Sequence, residues 1–231
     1  MKKIYLIIKI FILDFYVIVK ALFNKSQRNN LKRLMKVLRS QHMLLSLQEI
    51  YHPILIPELS YLASKRACSD RLGLIIKDMS DYSASVNDIG CQIGFFSLSL
   101  AQKGCSVIGY DMSKKNIKIC QQFKELLGIQ SQLAFHNLEL TVDTADKIIV
   151  ADYTLCLAVF HHVIYFQGLE VAYKLVKMLK AKTRRKMYFE IGQSNENIEP
   201  WCRALPNMGE DPYEWIVGFL KEGGFTNVYS L

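Results

Sequence analysis

The chain has 231 residues, of which 51% are hydrophobic and 22% are charged, and its formal net charge is +8 at pH 7. This length and composition exclude a disordered or fibrous protein and fit one α/β core with a helical appendage. The six cysteines include no Cys-x-x-Cys pair and no Cys/His pair at zinc-ligand spacing, so a metal site has no support and reduced thiols in the cytoplasm are expected.

The positive charge is concentrated in the first third of the chain. Residues 1–72 hold 13 Lys/Arg against 4 Asp/Glu, whereas residues 73–231 hold 16 against 17. The basic character therefore belongs to the N-terminal region, and the rest of the chain is close to neutral.

The most apolar stretch of the sequence is residues 4–23. Read as a helix, it places Lys2, Lys9 and Lys20 in one narrow stripe. A membrane-spanning helix would bury Lys9 and Asp14 at a cost of about 2.5–3.5 kcal/mol each. A cleaved signal peptide is disfavoured because no small-residue cleavage site follows. A helix that lies in the membrane surface and is held to anionic lipid by its lysines fits the stripe best.

A second helix, basic and amphipathic, is predicted from about Arg28 to Leu47. Its expected apolar face consists of Leu31, Leu34, Met35, Leu38 and Leu45. Such a helix favours peripheral contact with the inner face of the membrane through residues 1–47. Packing against the rest of the chain is the alternative. Nucleic acid is less favoured, because aromatic residues are not interleaved with the basic ones.

Pro53 and Pro57 predict a linker over residues 48–58, and helices over Glu58–Ala67 and Asp70–Met79 follow it. The predicted organisation is a hydrophobic and basic helical extension (1–50), a linker with leading helices (51–84) and a domain that begins at the first strand (85–231).

Residues 85–111 have the pattern strand, glycine turn, helix, strand. Gly90 and Gly94 stand where the first strand passes into the helix and the backbone must approach a ligand closely. Asp88 ends the first strand and Asp111 ends the second. Two neighbouring parallel strands would direct both carboxylates into one crevice, which suits a ligand with a positive amine and a ribose diol.

The run Asp88-Ile-Gly-Cys-Gln-Ile-Gly94, followed by Asp111, resembles the first motif of the class I S-adenosylmethionine-dependent methyltransferases, Asp-x-Gly-x-Gly-x-Gly. Gln92 stands where that family usually has its middle glycine. The Gly-x-Gly-x-x-Gly motif of NAD enzymes is not met. The resemblance implies a Rossmann-like, doubly wound α/β sheet, S-adenosylmethionine as cofactor and methyl transfer as activity. The alternative is an ordinary βαβ unit whose glycines only permit tight packing.

The resemblance also assigns residues to parts of the cofactor. Asp88 and the turn would hold the methionine end, Asp111 would take the ribose hydroxyls, and the residues after a third strand (Gln132–His136) would flank adenine. Arg71 either reaches the methionine carboxylate or, as favoured, forms a surface ion pair. The implied cofactor-binding residues are Asp88, Gly90, Cys91, Gly94, Asp111, Met112, Asn137 and Leu138.

An apolar run, Tyr153–Phe160, predicts a central parallel strand that ends in His161 and His162. Ligands bind at the carboxyl ends of such strands, so both histidines are expected at the rim of the crevice. Either one could accept a proton from an acceptor hydroxyl, because neutral imidazole is competent near pH 7. Alternatively, one histidine shapes the pocket and the other is structural. Glu190 closes the next strand and could orient the acceptor.

The loop after Glu190 carries Trp201 and Arg203, which predict a lid over the acceptor; Trp201 alternatively pins the loop to the core. A last strand is predicted over Thr226–Ser230, directly before the end of the sequence, so the further antiparallel strand that usually completes the family's sheet is expected to be missing.

The sequence thus predicts a cytoplasmic methyltransferase that O-methylates a glycan or another small hydroxylated acceptor. An RNA (tRNA) methyltransferase is the first alternative. A non-catalytic module that only binds the cofactor is the second, and Gln92 would suit it.

Overall fold

The computed structural model describes residues 27–129, 131–196 and 200–231 of the chain. The prediction for residues 4–23 therefore lies outside the described residues. The α-helices in these ranges are α1 (Gln27–Leu45), α2 (Ser69–Asp78), α3 (Phe95–Gln102), α4 (Lys114–Leu126), α5 (Phe160–Gln167), α6 (Leu169–Ala181) and α7 (Pro212–Glu222). The strands are β1 (Ser85–Ile89), β2 (Ser106–Asp111), β3 (Leu133–Asn137), β4 (Ala151–Leu157) and β5 (Thr183–Glu190).

The five strands form one parallel sheet in the order β3-β2-β1-β4-β5. From β1 the chain winds outward through β2 to β3, returns beside β1 as β4, and winds outward again to β5. The direction of winding therefore reverses between β1 and β4, and open sheets of this kind bind ligands at the carboxyl ends of the strands beside such a reversal. The predicted Rossmann-like, doubly wound fold is confirmed.

Helices cover both faces of the sheet. On one face, Leu98 of α3 and Phe123 of α4 belong to the core that includes Val86 of β1. On the other face, Leu175 of α6 and Phe219 of α7 belong to a second core. Because both faces are covered, β1 and β4 are buried along most of their length, which is why β4 reads as an almost continuous apolar run.

Helix α1 packs against α4. Val37 is buried in the core, and Arg33 donates hydrogen bonds to the Leu126 carbonyl at 2.7 Å and to the Glu58 carboxylate at 2.6 Å. Met35, which was predicted on the apolar face, is 61% exposed. The helix therefore uses part of its basic face for packing. Among the described residues, no helix combines the length and the apolarity needed to cross a membrane.

The prediction of a helix over Glu58–Ala67 is wrong. Only Pro57–Leu59 forms a short 3₁₀ turn there. The Lys65 N–H donates to the Ile50 carbonyl at 2.8 Å, so the segment is held by backbone bonds to the preceding stretch and not by helical bonds.

The prediction that a strand continues to Phe160 is also wrong. Strand β4 ends at Leu157, because Ala158 adopts φ of 57°, a left-handed conformation that stops an extended chain. Helix α5 begins two residues later, so His161 and His162 lie in its first turn and not at the strand tip.

The predicted strand over Thr226–Ser230 does not form. This segment contacts β5 through side chains, with the Lys186 Nζ 5.4 Å from the centre of the Tyr229 ring. Its backbone makes no ladder of hydrogen bonds with β5, so the sheet has five strands in the described part of the chain.

Candidate functional site

The turn between β1 and α3 is fastened to the end of β2. The N–H groups of Gly90 and Cys91 both donate to the Tyr110 carbonyl, at 2.8 and 3.0 Å. Gly90 and Gly94 have φ of 72° and 85°, in the left-handed region that glycine adopts without strain. A Cβ atom on Gly90 would lie 2.5 Å from Cγ2 of Val159, in the loop after β4. Glycine is therefore required at 90 by its backbone and by the close approach of the β4 loop.

Gln92 adopts the same kind of backbone conformation, with φ of 54°. Its side-chain Oε1 accepts a hydrogen bond from the Ile93 N–H at 3.0 Å, and its own N–H donates to Asp111 Oδ2 at 2.9 Å. These two hydrogen bonds hold Gln92 in the left-handed backbone conformation that glycine favours. The departure from the family's usual glycine thus leaves the path of the turn intact.

Asp111 lies at the carboxyl end of β2 and is 8% exposed. An ionised carboxylate has about four acceptor positions. Gln92 N–H occupies one on Oδ2, and Ser113 N–H (2.8 Å) and Asn116 Nδ2 (3.2 Å) occupy two on Oδ1. Burial raises the pKa of Asp111, and the hydrogen bonds from Ser113, Gln92 and Asn116 oppose that rise. Oδ2 retains one acceptor position for a hydroxyl.

Asp88 has a partner that the sequence did not reveal. Its carboxylate is 3% exposed and accepts a hydrogen bond from Ser97 Oγ, in the first turn of α3, at 2.5 Å. Burial raises the pKa of Asp88 to about 6, the charge of Asp111 adds to the rise, and bonds from Ser97 oppose it. Asp88 therefore anchors the start of α3 beneath the glycine turn.

We expect Asp88→Asn to stabilise the protein by about 3 kcal/mol at pH 7.5 and by about half of that at pH 5. The pKa of Asp88 is about 6 in the folded protein, against 3.8 for an unperturbed carboxyl group. The stability that the protonated carboxyl group contributes is therefore complete below pH 3.8 and is lost as the pH rises through about 6. Asparagine keeps the neutral form at every pH. Urea unfolding of both proteins at the two pH values measures the difference.

Asp81→Asn is the matched control for this prediction. The pKa of Asp81 is lowered, chiefly by hydrogen bonds from Ser83, so its ionised form stabilises the fold and its replacement should act in the opposite direction. An Asp88→Asn protein that is less stable than the wild type at pH 7.5 would contradict the raised pKa of Asp88.

Side chains that follow β2 and β3 border the Asp111 crevice. Met112 is 68% exposed, and the Asn137 Nδ2 donates to the carbonyls of Asp111 (2.9 Å) and Met112 (2.8 Å). The Leu138 N–H also donates to the Asp111 carbonyl, at 3.0 Å. The structure thus brings these predicted cofactor residues together. The Asn137 amide itself is used to hold the backbone after β2.

His161 and His162 have different environments. His161 is 6% exposed, and its Nδ1 accepts a hydrogen bond from the Gly192 N–H at 3.1 Å, which places its proton on Nε2. Its ring centre lies 4.2 Å from the rings of both His162 and Trp201. Burial lowers the pKa of His161 to about 3, and His162 contributes to the shift, so His161 is neutral. His162 is exposed at the surface of α5.

Trp201 packs against the backbone after β5. A Cβ atom on Gly192 would lie 2.2 Å from the Trp201 indole ring. Trp201 therefore holds the loop to the core beside His161, while Arg203 is exposed on the same 3₁₀ turn, Pro200–Ala204.

We expect Gly192→Ala to destabilise the fold by about 1–3 kcal/mol, because the added methyl group displaces the indole. Gly218→Ala is the control: Gly218 lies within α7, nothing lies within 4 Å of an added Cβ, and the change should stabilise by about 0.5–1 kcal/mol. Urea unfolding measures both, and a shift in Trp fluorescence should accompany the first alone. Equal effects of the two changes would contradict the packing of Trp201.

Comparisons with known proteins agree with this geometry. A family model described as a methyltransferase domain matches residues 87–184. Two Escherichia coli proteins, each described as the O-antigen chain terminator bifunctional methyltransferase/kinase WbdD, are 30% and 31% identical over 163 residues, which cover 65% of this chain and 22% of each relative. Residues 87–184 therefore form a domain of the class I methyltransferase family.

Solved structures of WbdD share the fold of this methyltransferase domain. One of the bifunctional kinase-methyltransferase has a TM-score of 0.65 at 28% identity, covering 76% of this chain and 39% of its own. A co-crystal structure of WbdD with a kinase inhibitor has a TM-score of 0.66 at 28% identity, covering 78% and 41%. This chain therefore spans about a fifth of the curated WbdD relatives and about two fifths of the solved chains.

Glu190, at the carboxyl end of β5, forms an ion pair with Arg71 of α2. Arg71 Nη1 donates to both Glu190 carboxylate oxygens, at 2.9 and 2.8 Å, and the guanidinium lies 5.9 Å from the centre of the Phe96 ring. The sequence analysis favoured an ion pair for Arg71 over contact with the methionine carboxylate. The partner in that pair is Glu190, which was itself predicted to orient the acceptor. Glu190 is thereby held in place by the helix that precedes the domain.

His52 is a buried histidine that the sequence analysis did not single out. Its ring is 8% exposed and packs at the start of α3, with its centre 5.6 Å from that of Phe96. Burial lowers the pKa of His52 to about 4, and the charge of Arg71 contributes. Within the described residues its Nδ1 has no hydrogen-bond partner. A lone histidine in a linker carries no local signal of such a position.

Proposed function

We propose that this chain is a methyltransferase that uses S-adenosylmethionine to O-methylate a glycan or another small hydroxylated acceptor. The observation that supports the proposal is the contact between Gly90 of the glycine turn and Val159, which lies in the loop that leads into α5, the helix that carries the exposed His162. A donor-binding turn and a candidate proton acceptor then share one edge of the sheet. The description of the relative WbdD as an O-antigen chain terminator supports a carbohydrate acceptor.

The residues of the crevice fit the cofactor. Gly90 and Gly94 allow the turn its left-handed backbone conformation, Asp111 Oδ2 can accept a ribose hydroxyl, and the exposed Met112 offers an apolar surface to adenine. When bound, S-adenosylmethionine supplies an electrophilic methyl group on a sulfonium sulfur. Asp88 supports the site indirectly, by holding the first turn of α3.

The proposed division of labour between the histidines follows from their hydrogen bonds. His161 is neutral and its Nδ1 is occupied by Gly192, so it positions His162 and the loop after β5. His162 would take the proton of the acceptor hydroxyl as the oxygen bonds to the methyl carbon and the carbon–sulfur bond breaks. Glu190, with both oxygens held by Arg71, would orient the acceptor, and Trp201 and Arg203 would border it.

Transfer of a tritiated methyl group from labelled S-adenosylmethionine into fractionated cell extract tests the function. We expect the label in the polysaccharide fraction. Label in RNA would favour the tRNA methyltransferase alternative, and cofactor binding without transfer to any fraction would favour a non-catalytic module.

We also propose that the protein is cytoplasmic and contacts the membrane surface through residues 1–47. All six cysteines are buried free thiols, which suits a reducing compartment. Apolar and basic side chains of α1 line a groove of about 700 Å³: Met35, Lys36, Leu38, Arg39, His42 and Met43. Flotation of the full chain with anionic vesicles, but not with neutral ones, would support this contact, and its absence would contradict it.

A further inference from the structure

Helix α5 carries an exposed aromatic face formed by His162, Tyr165 and Phe166. The three residues stand at positions i, i+3 and i+4, so they share one side of the helix. Phe166 is 75% exposed and Tyr165 is 42% exposed. The two rings meet edge to face with centres 4.7 Å apart, and the His162 ring is nearly parallel to that of Phe166 at 6.5 Å.

Both ends of α5 are tied to the carboxyl edge of the sheet. At its start, His161 accepts a hydrogen bond from Gly192, which follows β5. At its end, Gln167 Nε2 donates to the carbonyl of Leu140, which follows β3, at 2.9 Å. The helix therefore crosses the rim of the crevice from the β5 side to the β3 side. Its aromatic face begins at His162, the candidate proton acceptor.

Exposure of large apolar side chains is greatest at this same edge. Among the described residues, Phe166 (75%) and Met112 (68%) are the two most exposed side chains of this class. Single exposed apolar residues are common, but two aromatic rings beside a candidate proton acceptor form a small continuous surface.

We propose that the aromatic face binds a neutral pyranose ring of the acceptor, stacked on Phe166 with a hydroxyl directed to His162. This inference rests on the proposed function. Aromatic rings give a sugar a flat apolar surface, and the Tyr165 hydroxyl and the His162 imidazole supply polar groups at its margin. Helix α5 contains no Lys or Arg, so it offers no cation to an acidic sugar or to an anionic membrane.

Saturation-transfer NMR with methyl α-mannopyranoside and methyl β-galactopyranoside, in the presence of S-adenosylhomocysteine, tests the proposal. We expect the wild type to saturate ring protons of at least one sugar. Phe166→Leu, which keeps an apolar side chain but removes the aromatic face, should weaken that binding about five-fold. Phe166→Trp should retain it. Tyr229→Leu, which removes an exposed aromatic ring beside the middle of β5, is the matched control and should leave it unchanged.

Three results would overturn the proposal. They are an absence of saturation of either sugar by the wild type, equal saturation by wild type and Phe166→Leu, and loss of vesicle flotation in Phe166→Leu with sugar binding unchanged. Calorimetry with S-adenosylhomocysteine on the same samples separates this failure from failure of the proposed function. If the protein binds S-adenosylhomocysteine but the Phe166→Leu change does not affect sugar binding, only the proposed sugar site is wrong. If the protein does not bind S-adenosylhomocysteine, the proposed methyltransferase function is wrong.

Discussion

Asp111→Ala should weaken the binding of S-adenosylhomocysteine by about 100-fold, as measured by isothermal titration calorimetry. A hydrogen bond to a charged group is worth about 1.5–3 kcal/mol, and the alanine removes the carboxylate that the ribose hydroxyls would use. The same change removes the partner of the Gln92 N–H in the glycine turn, which adds to the loss. An affinity within about three-fold of the wild type would refute the ribose assignment.

Asn116→Ala separates the cofactor role of Asp111 from its structural role. Asn116 donates to Asp111 Oδ1, and its removal frees a second acceptor position on the carboxylate. We therefore expect this variant to bind the cofactor as tightly as the wild type or more tightly. Circular dichroism of the free proteins checks that both variants fold.

His162→Gln should lower kcat by about 100-fold to 10,000-fold, because a positioned general base contributes roughly that factor. Cofactor affinity should be unchanged, since His162 lies on α5 and not in the turn that follows β1. The measurement is the rate of methyl transfer to the acceptor fraction identified with labelled cofactor, at several pH values.

His42→Gln is the matched control for this change. His42 is an exposed histidine of α1, outside the catalytic domain, and its replacement should leave kcat unchanged. A His162→Gln enzyme with the wild-type rate and pH profile would show that the acceptor proton leaves by another route. His161, with its Nδ1 occupied by Gly192, is not expected to replace it.

The parts of the fold that could be predicted are those with a local pattern. The strand over Ser85–Ile89, the turn at Gly90 and the strand that ends at Asp111 are encoded by alternation, glycine and a terminal acid within a short stretch. Helix α4 begins after Ser113, whose side chain accepts from the Asn116 N–H, as expected for an N-cap residue. Such features depend on neighbours in the sequence, so a single chain reveals them.

The partners of the site residues could not be predicted, because they are distant in the sequence. Arg71 and Glu190 are 119 positions apart, and His161 and Gly192 are 31 positions apart. The difference between the buried His161 and the exposed His162 depends on where β4 stops. That point is set by the left-handed Ala158, a residue type that carries no signal for such a conformation.

The contact between Gly90 and Val159 has a mechanical consequence. It is a van der Waals contact between the segment that would hold the methyl donor and the segment that leads into α5, the helix of the proposed proton acceptor. An in-line displacement tolerates little error in the spacing of its reactants. Because Gly90 has no side chain, the two segments can pack directly against each other, and the spacing between the donor and the proposed proton acceptor would depend on this contact.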